Sequence, residues 1–211
     1  MDKYVDLLIQ RYPQLRICQA QMEDAVSALI ACYTKEGKLL LCGNGGSCAD
    51  GDHIAGELMK GFLKKRPLPE AKRAAMQEKC SALDSEILEN LQGGLPAIPL
   101  TAMAALFTAF CNDVDPELVY AQQVLALGKP GDVLIGISTS GNAKNVAAAA
   151  KVAKGLGMTV IGLTGQHGGA LKKLSDICVC VPETETYRVQ ELHLPVYHSL
   201  CAAVEEHFFE E

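Results

Sequence analysis

No run of 18 apolar residues occurs in this 211-residue chain, so no membrane-spanning helix is expected. The opening segment, MDKYVDLLIQRYPQ, lacks the continuous apolar core of a signal peptide. Basic residues do not pool, apart from Lys64-Lys65-Arg66, which reads as a solvated loop. With a net charge of −6, that argues mildly against a nucleic-acid surface. No two cysteines stand in a CxxC pair, so neither a thiolate zinc ribbon nor a thioredoxin-like site is supported. The nine cysteines are odd in number and scattered through apolar segments such as Leu41-Cys42 and Cys178-Val179-Cys180. They read as reduced, buried thiols of a cytoplasmic protein rather than a disulfide framework.

What is present is apolar and patterned. Hydrophobic residues make up 49% of the chain, enough for a sizeable core in a single domain, 1–211. The stretch that organises it is Lys38 to Phe62, KLLLCGNGGSCADGDHIAGELMKGF. Leu39 to Cys42 suits a buried strand, Gly43-Asn44-Gly45-Gly46-Ser47 a tight turn, and a helical pattern follows from about Cys48. His53 and Glu57 are four residues apart and so share one face of that helix.

Residues 1–35 recur in apolar character at three- and four-residue steps, which predicts a helical arm divided at Pro13. Its apolar stripe must lie across the domain or against another subunit. Residues 64–95 are the most polar region and predict a helical insertion ending at Gly93-Gly94, either a flap or a surface hairpin without a role. Strands are expected at 97–100, 133–137, 159–163 and 177–181, and helices at 103–111, 116–127, 143–156 and 187–209. Alternating strands and helices imply an α/β fold with a doubly wound, five-stranded parallel sheet. Ligands bind such sheets at the carboxyl ends of strands, where both 43–47 and 138–142 fall.

The turn Ser138-Thr139-Ser140-Gly141-Asn142 places three hydroxyls before a helix. Helix-start amides favour an anion there and the hydroxyls add donors, although capping alone would also use these residue types. The first glycine loop lacks the Lys-Ser/Thr of a P-loop, and Cys48 stands where a dinucleotide fingerprint needs its third glycine. By itself it supports sugar binding or a purely structural turn. His53 and Glu57 fit a metal half-site, an acid/base pair or a surface ion pair. Gln190, Glu191, His193 and His198 crowd the last helix. Gln190 and His198 point about 80° apart on a straight helix, and Pro195 between them could bend it.

CGNGGS, GDVLIGISTSGN and RVQELHLPVYH together resemble the sugar isomerase (SIS) domain family, and within it most resemble the phosphoheptose isomerases. The resemblance covers about residues 36–62 and 96–206 and implies an SIS-type, flavodoxin-like sheet. It implies an enzyme interconverting sedoheptulose 7-phosphate and glycero-manno-heptose 7-phosphate for bacterial surface polysaccharide. It implies a homotetramer with sites between subunits, and zinc as cofactor. Carried over by position, phosphate contacts fall on Ser138, Thr139 and Ser140. Sugar contacts fall on Asn44, Gly45, Gly46, Ser47, Asn112, Asp113, Glu57 and Gln190. The acid/base pair falls on Glu57 and His198, and the metal ligands on His53, Glu57, Gln190 and His198. Three departures are visible: Ala143 where the family usually has serine, Tyr187 where it often has aspartate, and the longer 64–95 insertion. The other readings are an isomerase of another phosphosugar, or a non-catalytic SIS module that senses a phosphosugar or binds a replication initiator.

Overall fold

Leu39 and Leu41 point to one side of the first strand, Leu40 and Cys42 to the other, and all four are buried. A strand that is apolar on both faces belongs inside a parallel sheet covered on both sides. In the computed structural model, which describes residues 2–209, that sheet has five strands. They are β1 (Leu39–Gly43), β2 (Ala97–Pro99), β3 (Val133–Ser138), β4 (Thr159–Thr164) and β5 (Ile177–Cys180). Their order is β2-β1-β3-β4-β5 and every neighbouring pair is parallel.

The helices divide between the two faces. α1 (Lys3–Arg11), α2 (Gln19–Thr34), α3 (Gly46–Met59) and α10 (Thr186–Phe208) cover the Leu39, Leu41 and Ile135 side. α7 (Val119–Leu127) and α8 (Lys144–Gly155) cover the Leu40 and Leu134 side. The N-terminal arm folds on its own domain, with Val5, Leu8 and Ile9 buried. Pro13 divides it as expected, opening a 3-10 turn over Pro13–Cys18.

The polar insertion forms α4 (Glu70–Lys79) and α5 (Ser85–Asn90), with a single antiparallel bridge from Pro67 to Gln92 at its neck. α4 buries no residue. α6 (Ala104–Asp113) also buries none, although its sequence AALFTAFCND is largely apolar.

Four expectations change in detail. α3 begins at Gly46, because Gly45 takes φ +57° and lets the helix start directly. Residues 116–118 are a 3-10 turn ahead of α7. A short helix, α9 (Gly169–Leu174), begins at the second of two adjacent glycines of positive φ, a start that local pattern does not mark. The run Lys64-Lys65-Arg66 is not wholly a solvated loop: Lys65 is exposed but Arg66 is buried. Among the described residues no helix is long and apolar enough to cross a membrane.

Candidate functional site

From β1 the chain moves outward to β2, then returns to place β3 on the other side of β1. The strand order therefore reverses between β1 and β3, and the crevice at their carboxyl ends is where such sheets bind ligands. Both loops singled out in the sequence flank it. Asn44 and Asn145 join them through a reciprocal pair, each amide nitrogen donating to the other's oxygen at 2.9 Å. The Tyr120 hydroxyl donates to Gly43 O at 2.6 Å and lies 3.3 Å from Asn44 Oδ1.

The hydroxyl turn is shaped by its neighbour. Gly141 has φ +69°, and a side chain there would collide with the backbone of Gly168. Gly165 N donates to Thr139 O at 2.9 Å, and Leu171 N to Gly141 O at 2.9 Å. Ser138 Oγ accepts weakly from Ala143 N at 3.4 Å, and Ser140 Oγ from Asn142 N at 3.2 Å. Ala143 sits at the cap position of α8 and supplies no side-chain cap. The turn thus holds the Ser138 and Ser140 hydroxyls beside the start of a 12-residue helix.

The second cluster lies on α3 and α10, which pack side by side and run in the same direction. Gly46 lies against Gln190, and His53 against Tyr197 and His198. His53 Nε2 is 3.2 Å from Glu57 Oε1 and 3.4 Å from His198 Nε2. His53 Nδ1 is 2.9 Å from the Tyr197 hydroxyl. With the Tyr197 O–H donating to Nδ1, the His53 Nε2–H faces the Glu57 carboxylate. Lys60 Nζ stands 3.4 Å from the second Glu57 oxygen.

The electrostatics follow from partial burial. Burial pushes the His198 pKa down, the neighbouring His53 adds to this, and Glu57 opposes it. His198 is therefore a neutral imidazole near pH 7. Burial raises the Tyr197 hydroxyl, and the Asp50 carboxylate adds to it. Burial raises the Asp50 carboxyl, with Tyr197 and His53 opposing.

His53, Glu57 and His198 are thus brought together, and α10 does so as one helix running through Pro195. Gln190 is not among them. It stands at Gly46, seven residues before His53 on α3, a rise of about 10 Å. Asn112 and Asp113 are exposed at the end of α6, hydrogen-bonded to one another at 2.8 Å. Ser47 is buried in the first turn of α3. Glu191 lines a cleft of about 480 Å³ between α1 and α10, with Tyr4, Arg11, Phe62, Leu194 and His198. Asn145, Tyr120 and Tyr197 were not anticipated. The second asparagine of SGNAKN, at a helix start, was a readable signal for Asn145; the two tyrosines carried none.

The donor set bears on metal binding. Tetrahedral zinc with bonds near 2.0–2.1 Å needs donor–donor edges of about 3.3 Å. The two edges at His53 match that spacing. No ion-pair contact joins Glu57 to His198, and among the described residues no three His, Cys, Asp or Glu side chains close around one point. Two edges of the set are formed, both at His53, and the third, between Glu57 and His198, is open.

Comparison with known proteins identifies the family. The model of the SIS domain family matches residues 3–98 and 93–165. A phosphoheptose isomerase of Roseiflexus is 42% identical over 194 residues, 92% of this chain and 85% of that protein. The solved phosphoheptose isomerase of Francisella tularensis superposes with a TM-score of 0.76 at 30% identity, covering 96% of this chain and 95% of that one. That of Neisseria gonorrhoeae gives 0.74 at 33% identity, covering 95% and 94%. A shared sheet, a hydroxyl turn at its switch point and relatives matched over almost their whole length carry one conclusion: the chain belongs to the SIS domain family, among the phosphoheptose isomerases.

Proposed function

We propose that the protein is an aldose–ketose isomerase that interconverts sedoheptulose 7-phosphate and D-glycero-manno-heptose 7-phosphate in the cytoplasm, supplying heptose for bacterial surface polysaccharide. The observation that carries the reading is the meeting of His53, Glu57 and His198 on adjacent helices. A module that only bound a phosphosugar would have no use for a carboxylate and a neutral imidazole held together. Relatives matched over most of the chain bear the name phosphoheptose isomerase, which supports the choice of sugar.

Moving a carbonyl from C2 to C1 requires one proton taken from C1 and returned to C2, and one proton shifted between the two oxygens. The Glu57 carboxylate takes the carbon-bound proton and delivers it to the neighbouring carbon. His198, neutral near pH 7, passes the oxygen proton. His53 holds Glu57 in place from one side and Lys60 from the other. The Ser138–Ser140 turn and the start of α8 receive the phosphate, and Asn44 and Gln190 take sugar hydroxyls. Anchoring the remote phosphate positions the reacting end.

His53, Glu57 and His198 would hold zinc, with Gln190 able to join only by leaving Gly46. The ion would supply Lewis-acid stabilisation of the enediolate oxygens.

Two features support a site assembled between copies of the chain. Glu57 lies eleven residues beyond Gly46 on α3, a rise of about 16 Å, so the proton-transfer pair stands well away from the glycine loop of its own chain. No residue of the largely apolar α6 is fully buried within the chain, and Leu106, Val114, Leu118 and Leu125 are exposed. We therefore read the protein as a homo-oligomer, a tetramer by family resemblance.

A coupled assay with sedoheptulose 7-phosphate and several five- and six-carbon phosphosugars, with and without chelator, tests the proposal. Turnover of the heptose phosphate above the others, lost with chelator, is the expected result. Binding without turnover of any of them would overturn it.

A further inference from the structure

The side chains of Arg66 and Glu205 are fully buried and paired, with Nε 2.7 Å from Oε1. Every remaining side-chain hydrogen bond of the pair runs to the end of α3 or to the segment just after it. Arg66 Nη2 donates to Glu57 O at 2.9 Å and Nη1 to Leu58 O at 2.6 Å. These carbonyls belong to the last turn of α3, which has no partners within the helix. Glu205 accepts from Phe62 N at 2.9 Å and Leu63 N at 2.7 Å. The Phe62 ring centroid is 5.4 Å from that of His198. Glu205 follows His198 by seven residues, two turns along the same face of α10. The guanidinium also packs 4.5 Å over the Phe209 ring.

The backbone at Arg66 is held out of its easy range. It takes φ +52°, a left-handed conformation unusual for arginine, directly before Pro67. Such strain persists where surrounding contacts over-determine it. Buried ion pairs are seldom the most stable filling of their space, since apolar side chains of similar volume do as well or better. What an apolar pair could not do is hold the Glu57 and Leu58 carbonyls and a carboxylate at once through one planar fork.

We propose that Arg66 and Glu205 are a positioning pair for the isomerase reaction: they set the offset between α3 and α10, and so where the Glu57 carboxylate stands relative to His198. This rests on the reading of Glu57 and His198 as the proton-transfer groups. The pair also anchors the neck of the polar insertion, because Gly93 N donates to Arg66 O at 2.7 Å. A load on α4 and α5 thereby reaches the end of α3.

The test is the double variant Arg66→Met/Glu205→Gln, assayed with sedoheptulose 7-phosphate well below its measured melting temperature. It leaves no unpaired buried charge and keeps a carbonyl acceptor for one of the Phe62 and Leu63 amides. kcat is expected to fall about 100-fold with KM near the parent value, the pattern of a displaced catalytic group. A folded double variant with parent kcat would mean the pair only fills space, and the proposal would fall. Should that protein not fold, Arg66→Lys keeps the charge beside Glu205 but lacks the fork. It must show the same selective loss of kcat, and parent kcat there overturns the proposal equally. Glu57→Gln is assayed alongside. An inactive Glu57→Gln with a fully active double variant removes the positioning role alone, whereas an active Glu57→Gln removes the base assignment and the inference with it.

Discussion

His53 and His198 face each other across two parallel-running helices, with their Nε2 atoms 3.4 Å apart and their rings nearly perpendicular at 85°. At that separation the two nitrogens share one proton or one ion, since two N–H groups would repel. Glu57 reaches the same His53 nitrogen from one helical turn further along α3.

Glu57 is the carboxylate placed to move the carbon-bound proton. Glu57→Gln keeps the size and the hydrogen bond to His53 but removes the base. Loss of a general base typically lowers the rate by about 10²–10⁴-fold. KM for sedoheptulose 7-phosphate should stay near the parent value, because Glu57 does not hold the phosphate. Steady-state kinetics check both numbers, and parent-level kcat would refute the assignment.

His53 carries the metal reading. His53→Ala removes the donor shared by both observed edges, so zinc content of the purified protein should drop from near stoichiometric to background. Elemental analysis after gel filtration reads this without any activity assay. Zinc retained at the parent level would exclude His53 as a ligand.

Asn145 ties the first glycine loop to the start of α8. Asn145→Ala removes two amide hydrogen bonds and leaves Asn44 held by Tyr120 alone. A hydrogen bond is worth about 0.5–1.5 kcal/mol net, so KM should rise about 3- to 10-fold per bond lost, with little change in kcat. The reverse pattern, a kcat loss at constant KM, would show that the link serves the chemistry and not binding.

His193 gives a pH dependence to stability. It is completely buried on α10, neither ring nitrogen is within good hydrogen-bond geometry of a partner, and burial lowers its pKa to about 4, opposed only by the nearby Thr164 backbone. The unfolded chain takes up this proton near pH 6.5 while the folded chain resists it. Below pH 6.5 the unfolded state thus binds more protons, and stability falls as pH drops from 6.5 toward 4. The loss from this residue is on the order of 3 kcal/mol. Urea unfolding at stepped pH should show that slope, and His193→Met should flatten it. An unchanged slope in the variant would mean that other groups drive the acid loss.

Much of the fold was legible because it is written in local pattern. Apolar runs of four to six residues between helical periods marked all five strands, Pro13 marked the break in the arm, and the hydroxyl turn after β3 stood out by composition. HxxxE placed His53 and Glu57 on one face for the same reason: helical spacing is local. Other features were hidden because they depend on partners far along the chain. Arg66 read as part of a basic, solvated run, since nothing near it in sequence reveals that Glu205 waits 139 residues later. Asn145 meets Asn44 across 101 residues.

The sequence by itself determined that this chain would form a two-sided parallel sheet, with a glycine loop and a hydroxyl turn at strand ends, because alternation and turn chemistry act between near neighbours. Only the tertiary structure decided the strand order that sets those loops on one crevice. It also decided that α3 and α10 run alongside each other, so that His53 meets His198 and Gln190 stays at Gly46. Those outcomes depend on which faces pack together, and that is set by burial summed over the whole molecule rather than by any stretch of it.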